Sequence, residues 1–83
     1  MDYEKWMAIA LNSIESNVIE RNPFEVKDLF EGHRWKALNR GNRIGFGRYF
    51  ANEVKEGRVP GVSGLERGKD NHSRYIKQQQ KER

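Results

Sequence analysis

Apolar side chains recur at a helical spacing through the first part of the chain, which predicts an amphipathic helix. They are Tyr3, Met7, Ala10, Leu11, Ile14 and Val18. Asp2 stands just before the first of them and is suited to cap the helix N-terminus. We expect the helix to reach about Glu20, because Asn22 precedes Pro23 and the residue before a proline disfavours helical backbone.

The next apolar pattern predicts a short second helix over Phe24–Phe30, where apolar residues lie three and four positions apart. Gly32 is placed to end this helix, since glycine adopts the left-handed conformation common at helix C-termini. The polar stretch His33–Gly41 is then expected to be a connector with room for one helical turn. Trp35 and Leu38 would anchor it to the core.

A third helix is predicted by large apolar side chains spaced four residues apart, at Phe46, Phe50 and Val54. It should start near Asn42, or at Asn39 if it starts earlier, and end at Gly57. Gly47 and Ala51 lie beside the apolar residues, and their small side chains would let a neighbouring helix approach closely.

Turn residues and β-branched residues follow this helix and predict one β-hairpin, within Arg58–Leu65 and His72–Lys77. Three helices followed by a hairpin, with the second and third helices closely linked, is the order of a winged helix-turn-helix domain. We therefore expect a mainly helical α+β fold, with one winged-helix-like domain over residues 1–77. Residues 78–83 should form a disordered basic and polar tail. A plain three-helix module with an irregular basic tail fits the same pattern.

Composition limits the core of this domain to a small one, because the chain has only 83 residues, 35% of them hydrophobic. Two tryptophans, three tyrosines and four phenylalanines supply most of the area that can be buried. The chain has no cysteine, which excludes disulfides and thiolate chemistry. Without a signal-peptide pattern or an apolar run of membrane length, a cytoplasmic protein is expected.

Charge is distributed unevenly along the chain. Residues 1–31 contain seven acidic and three basic residues, a net charge of −4, whereas residues 32–83 contain thirteen basic and five acidic residues, a net charge of +8. A polyanion would therefore bind to residues 32–83 in preference to residues 1–31. Solubility alone would also account for such an imbalance, so the positions of the bases have to decide between the two interpretations.

One set of residues forms a recognisable pattern: Phe24-x-Val26-Lys27-Asp28-Leu29-Phe30, Gly32, Trp35, Leu38, Arg43, Gly47-Arg48-x-Phe50, Val54 and Tyr75. This pattern resembles a small protein family of Gram-positive bacteria, their phages and mobile elements, which is catalogued as a domain of unknown function. The resemblance covers roughly residues 23–77 and leaves out the first helix. It implies a compact winged-helix-like domain with a proposed role in DNA binding, including single-stranded DNA, and no settled activity.

Catalytic and cofactor chemistry finds no support in the motifs. The glycines of Gly41–Gly47 follow no predicted strand and precede no Gly-Lys-Ser/Thr, so they do not form a phosphate-binding loop and are better explained by packing. His33 and His72 have no cysteine or carboxylate at metal-ligand spacing. The serines lack a nucleophile motif. We expect no enzyme activity, no metal and no cofactor.

The basic residues instead suggest a DNA-binding surface. Free N–H groups at the start of the third helix would bind a phosphate between two arginines, and the outward line of that helix would correspond to a recognition helix. Cations around a tyrosine in the hairpin would suit single-strand binding by charge neutralisation and base stacking. The candidate residues are Arg40, Arg43, Arg48, Asn52, Lys55, Arg67, Lys69, Arg74, Tyr75 and Lys77.

Structural roles compete with several of these assignments. Arg43 could pair with Glu31 or Asp28, and the outward line of the third helix could be an ordinary solvated face. Tyr75 and Trp35 could both belong to the core, as aromatic residues in a small domain usually do.

A second hypothesis assigns the chain a protein-interaction or dimerisation role in a regulatory protein. Trp6 and Ile19 widen the apolar stripe of the first helix beyond what one core-facing side needs, so this acidic helix would offer a surface to a partner or to a second copy. Both functions are compatible, since they would use different sides of the domain.

Overall fold

The computed structural model of the chain describes residues 2–65 and 73–78. Within them, three α-helices precede a two-stranded antiparallel hairpin, so the domain is mainly helical α+β as predicted. The elements are α1 (Tyr3–Asn17), a 3₁₀ helix (Val26–Leu29), α2 (Gly32–Ala37), α3 (Arg40–Lys55), β1 (Val62–Gly64) and β2 (Tyr75–Lys77).

Helix α1 begins where the sequence predicts and ends three residues before the predicted position. The Asp2 side chain accepts a hydrogen bond from the backbone N–H of Lys5 at 3.1 Å, which confirms it as the N-cap. Val18 already has extended backbone, with φ −81° and ψ 129°. The chain then turns through Arg21, whose φ is 64°, and its backbone N–H donates to the carbonyl of Lys77 at 2.8 Å.

The segment predicted as the second helix is a single 3₁₀ turn. Its two buried residues, Val26 and Leu29, lie three positions apart and therefore share one face in a helix of three residues per turn. Asp28 accepts the backbone N–H of Glu25 at 2.8 Å and closes the turn. The apolar spacing was correctly recognised, but it suits a 3₁₀ turn as well as an α-helix.

The second α-helix lies in the predicted connector, and Gly32 starts this helix instead of ending the one before it. Only Leu38 and Asn39 separate α2 from α3. The Asn39 side chain accepts the backbone N–H of Asn42 at 2.8 Å, so α3 starts at the earlier of the two predicted positions. Gly57, with φ 76°, follows the end of α3 as predicted.

The hairpin pairs Val62 with Lys77, Ser63 with Ile76 and Gly64 with Tyr75. On its other side, β2 forms a bridge with Phe24, and the backbones of Phe24 and Tyr75 exchange hydrogen bonds of 2.9 and 2.8 Å. The segment after α1 is thereby joined to the C-terminal hairpin, which fixes one end of the 3₁₀ helix.

An aromatic cluster holds the helices together. Phe46 and Phe50 on α3 are fully buried. The Phe46 ring lies 6.0 Å from Tyr3 and 6.3 Å from Trp6, both on α1, and 5.7 Å from Phe30. These centroid separations lie in the range of favourable aromatic pairs. Phe46 is therefore the residue through which α1, α3 and the segment before α2 meet.

Two glycines inside α3 have different surroundings. A Cβ at Gly45 would overlap the hydroxyl of Tyr3, whereas a Cβ at Gly47 would have no heavy atom within 4 Å. The packing explanation therefore applies to Gly45 and not to Gly47.

We expect Gly47→Ala to stabilise the domain by about 1 kcal/mol, because alanine is the better helix former and here meets nothing. Gly45→Ala improves helix propensity by the same amount, but it forces the Tyr3 ring away from Phe46. The free energy of unfolding should therefore stay the same or decrease. Urea unfolding of the two variants measures the difference. Equal stabilities would show that Tyr3 moves aside without cost.

Candidate nucleic-acid interface

An open groove of about 580 Å³ runs along one side of α3, between that helix, the 3₁₀ helix, α2 and the start of β2. Gly47, which has no side chain, and Ala51, which has only a methyl group, lie along its α3 side and leave it open. The full lining is Glu25, Val26, Lys27, Trp35, Arg43, Ile44, Gly47, Arg48, Ala51, Ser73 and Tyr75. Its volume is within the range of sites that bind small ligands.

Three basic side chains surround this groove. Arg43 and Arg48 are five residues apart on α3, so they are separated by about 140° around the helix and about 7.5 Å along it. Lys27 reaches the groove from the 3₁₀ helix. Among residues 2–65 and 73–78, no carboxylate forms a salt bridge with any of the three. Arg43 therefore does not pair with Glu31 or Asp28, and its charge remains available to an anion.

The predicted outward line of α3 is solvent-exposed along its length. Arg48, Asn52 and Lys55 are all exposed, and so is Arg40 at the first position of the helix. Ile44 is 46% exposed on the same side. An apolar side chain among cations gives this surface both charge and a contact area for an apolar or aromatic group.

Tyr75 belongs to the core. It is only 4% exposed, and its ring packs edge-to-face on Phe50 at 4.9 Å and lies 6.0 Å from Phe24. So little exposed surface cannot stack on a base, and the expectation that Tyr75 contacts nucleic acid in that way is corrected. The bridge to Phe24 explains the burial, because it places Tyr75 in the middle of three adjacent extended segments.

Lys77 also has a structural role. Its Nζ donates to the carbonyl oxygens of Ile14 at 2.9 Å and Glu15 at 3.4 Å. These carbonyls are at the C-terminal end of α1, which has no basic residue in its own last turn. Lys77 therefore supplies the positive charge that stabilises this helix end, and we remove it from the candidate DNA-binding set.

The remaining candidates in and near the hairpin are placed differently. Arg74 lies 3.9 Å from the Glu25 carboxylate, at the border of the groove, so part of its charge is directed toward that acid. Arg67 and Lys69 lie outside the described residues, as does His72.

Arg58, which was not a candidate, is paired with an acidic side chain of α3. Its Nε donates to Glu53 Oε2 at 2.6 Å, and this hydrogen bond is the main reason why the pKa of Arg58 is raised.

The sequence analysis missed three residues of this groove. Lys27 was counted with the acidic part of the chain, and Ile44 was not assigned to any face. Trp35 was expected in the core and does pack against it, but its place in the groove was not predicted. The helical position of Ile44, four residues before Arg48, was a signal that could have placed it on the outward face. No local pattern marks Lys27, because only the tertiary structure brings the 3₁₀ helix beside α3.

The two apolar residues that suggested a partner surface on α1, Trp6 and Ile19, differ in their burial. Trp6 is half-buried and packs on Phe30, with ring centroids 4.8 Å apart, so most of it belongs to the domain's own core. Ile19 is 70% exposed, but it lies beyond the end of α1.

Residues 10–77 match the family described as Domain of unknown function (DUF1413). The chain belongs to this family. The matched range contains α2, α3, the hairpin and the whole groove, and it leaves the first turns of α1 outside. No curated protein and no solved structure matches the chain.

Two further observations concern other kinds of site. In the part of the chain that the structure describes, no three histidine, cysteine, aspartate or glutamate residues form a group able to hold a metal ion. None of the described helices has both the length and the apolar character needed to span a membrane.

Proposed function

We propose that this member of the family is a non-catalytic DNA-binding module that binds mainly through phosphate contacts along α3 and its groove. The observation that carries the proposal is the placement of Lys27, Arg43 and Arg48 around one groove without a carboxylate partner among the described residues. Cations held on a surface without internal partners favour a polyanion.

The element order supports the same proposal. Helix α3 follows α2 after two residues and precedes the hairpin, which is the position of the recognition helix in a winged helix-turn-helix domain. Its exposed side has Arg48 and Asn52, side chains that can contact base edges, and Lys55, which can contact phosphate. With so few base-reading groups, phosphate contacts should dominate and sequence preference should be weak.

The structure also refines which residues the proposal uses. Five bases remain on or beside the α3 surface: Lys27, Arg40, Arg43, Arg48 and Lys55. Asn52 stays with them, Arg74 borders the groove, and Tyr75 and Lys77 are left out because they stabilise the fold. Arg67 and Lys69 remain candidates from the sequence alone.

Fluorescence anisotropy with labelled single-stranded and double-stranded oligonucleotides tests the proposal. We expect binding to at least one of them at low salt, with the logarithm of the association constant falling as the logarithm of salt concentration rises. Five phosphate contacts predict a slope of about −4. The strand that binds more tightly decides between single-strand and duplex binding. Absence of binding to both at low salt would contradict the proposal.

The interaction hypothesis remains a second proposal because Ile19, just beyond the end of α1, is 70% exposed and Leu11, in the middle of α1, is 37% exposed. Two exposed apolar residues give a small contact area, well below that of a stable dimer interface. Light scattering at increasing protein concentration tests self-association, and Ile19→Ser should abolish it if these residues form the contact.

A further inference from the structure

A second pocket, with a volume of about 350 Å³, lies between α1 and α2. Four of its lining residues are apolar and two are basic: Lys5, Trp6, Ile9, Arg34, Ala37 and Leu38. None of them lines the α3 groove. The volume is at the lower end of the range for ligand pockets, so it suits an apolar side chain with the groups attached to it.

Helical spacing gives this pocket its two walls. Lys5 and Ile9 are four residues apart on α1, and Arg34 and Leu38 are four residues apart on α2 and its C-cap. Side chains four residues apart lie on one face of a helix. Each wall therefore combines one cation with one aliphatic side chain.

The apolar surface of the pocket is held in place by the core. Trp6 is half-buried, and its ring centroid lies 4.8 Å from that of Phe30 and 6.3 Å from that of Phe46. Ile9 is also half-buried and packs against the core. The remaining surface of these two side chains lines the pocket. A wall that is already ordered binds an apolar side chain at little cost in conformational entropy.

The two cations of the pocket have no acidic partner of their own. Among residues 2–65 and 73–78, neither Lys5 nor Arg34 forms a salt bridge. The acidic residues nearest to them in sequence have other partners. Asp2 accepts the backbone N–H of Lys5 at 3.1 Å, and the Glu31 carboxylate lies 3.5 Å from His33. Two cations beside an apolar surface are therefore complementary to a ligand that is both acidic and apolar.

We propose that this pocket binds a short acidic segment of a partner protein, with a leucine-like side chain between Trp6, Ile9 and Leu38. The carboxylates that flank this side chain pair with Lys5 and Arg34. An apolar centre with a charged rim is the usual arrangement of a contact between proteins. A phosphate chain would use the two cations alone, whereas an acidic protein segment also uses the aliphatic walls.

This inference goes beyond both proposed functions. The pocket shares no residue with the α3 groove, and it is lined by neither Ile19 nor Leu11. A partner bound between α1 and α2 would leave the α3 groove accessible. The domain could then hold a nucleic acid and a second protein at the same time.

Three tetrapeptides, acetylated and amidated at their ends, separate the apolar contribution from the charge contribution. Asp-Leu-Leu-Glu has both features, Asp-Ser-Ser-Glu keeps the charge, and Lys-Leu-Leu-Lys keeps the leucines. The chain has two tryptophans, so Trp35→Phe leaves Trp6 as the sole tryptophan in the pocket. Titration calorimetry of the unchanged chain gives the same affinities without a substitution.

We expect Asp-Leu-Leu-Glu to change the fluorescence of Trp6 and to bind at least about 10-fold more tightly than either control peptide. Burial of one leucine side chain corresponds to about 10-fold or more in affinity, and the serine peptide lacks it. The basic peptide places like charges beside Lys5 and Arg34. Equal affinities of the three peptides, or tighter binding of the basic one, would overturn the inference.

Substitution of the two cations gives a second test. Lys5→Gln with Arg34→Gln should remove the preference for the acidic peptide over the basic one. Arg21→Gln with Lys36→Gln is the matched control, because both residues are exposed and neither lines the pocket. The control changes the net charge by the same amount and should keep the preference. An equal loss in both variants would show that net charge selects the peptide, which contradicts the proposed pairing.

The remaining outcomes identify a different occupant or separate this inference from the DNA-binding proposal. Sedimentation that shows dimers of the unchanged chain, which Lys5→Gln with Arg34→Gln dissociates, would make a second copy the occupant and overturn a partner segment. Absence of DNA binding in the anisotropy experiment, with the peptide preference present, would contradict the DNA-binding proposal and support this one. The reverse result would overturn this inference alone.

Discussion

Phe46→Ala is expected to lower the midpoint of thermal unfolding by about 20 °C or more. Truncating a fully buried phenylalanine typically costs about 3–5 kcal/mol, and for a domain of this size 1 kcal/mol shifts the midpoint by about 4–8 °C. Phe46 is 0% exposed. Its loss removes ring contacts to Tyr3 and Trp6 on α1 and to Phe30, so α1 loses its main connection to α3.

Circular dichroism during heating measures this effect, and Ile44→Ala is the matched control. Ile44 lies half a turn earlier on the same helix but is 46% exposed, so we expect its replacement to shift the midpoint by about 3 °C at most. A Phe46→Ala midpoint as high as that of the control would show that the aromatic cluster is not what holds the helices together. Small domains are stabilised by only about 5–15 kcal/mol, so the helix content of the variant at low temperature is measured as well.

The double substitution Arg43→Glu with Arg48→Glu is expected to weaken DNA binding on the order of 100-fold at low salt. Each arginine that contacts phosphate or a base contributes about 1–3 kcal/mol, and reversal of its charge adds repulsion. The salt slope should become less negative by about 1.4–1.8, because two phosphate contacts are lost. The fold should persist, since Arg48 is exposed and Arg43 lies in the first turns of α3, where an acidic residue is favourable.

Lys5→Glu with Arg21→Glu is the matched control for this variant. Both residues are exposed, and both belong to the acidic part of the chain. The control changes the net charge by the same amount as the groove variant, from +4 to 0. Anisotropy should therefore show near-normal binding for the control, apart from a small loss of long-range attraction. An equal loss in both variants would mean that net charge, and not the groove, attracts the DNA.

Local signals predicted several elements with their boundaries. Asp2 was recognised as a cap, and Asn39 was the earlier of two candidates for the start of α3. Both side chains accept backbone N–H groups three residues away, a contact that depends on sequence neighbours only. Gly57 was placed correctly for a similar reason, since its positive φ is a local requirement of the helix end. The second helix was misplaced, because the spacing of Val26 and Leu29 fits a 3₁₀ turn as well as an α-helix.

Long-range pairing decided which cations and rings are available to a ligand. Tyr75 and Lys77 occupy the same strand and looked alike as binding candidates, yet one is buried against Phe50 and the other caps α1 from more than sixty positions away. Trp35 was expected in the core, and the structure leaves part of its ring in the groove. None of these assignments is encoded in a short segment, because each depends on which distant surface packs against the residue.

The sequence by itself determined the first and third helices and the hairpin, the helix caps, the basic character of the second part and the exposed line of Arg48, Asn52 and Lys55. These follow from periodicity, local hydrogen bonding and charge. The tertiary structure alone decided that Lys27 joins Arg43 and Arg48 around one groove, that Tyr75 is buried in the core at the border of this groove, and that Lys77 caps α1. The physical reason is that the β2 pairing with Phe24 carries the 3₁₀ helix to the side of α3, and burial then assigns each side chain to the core or to the surface.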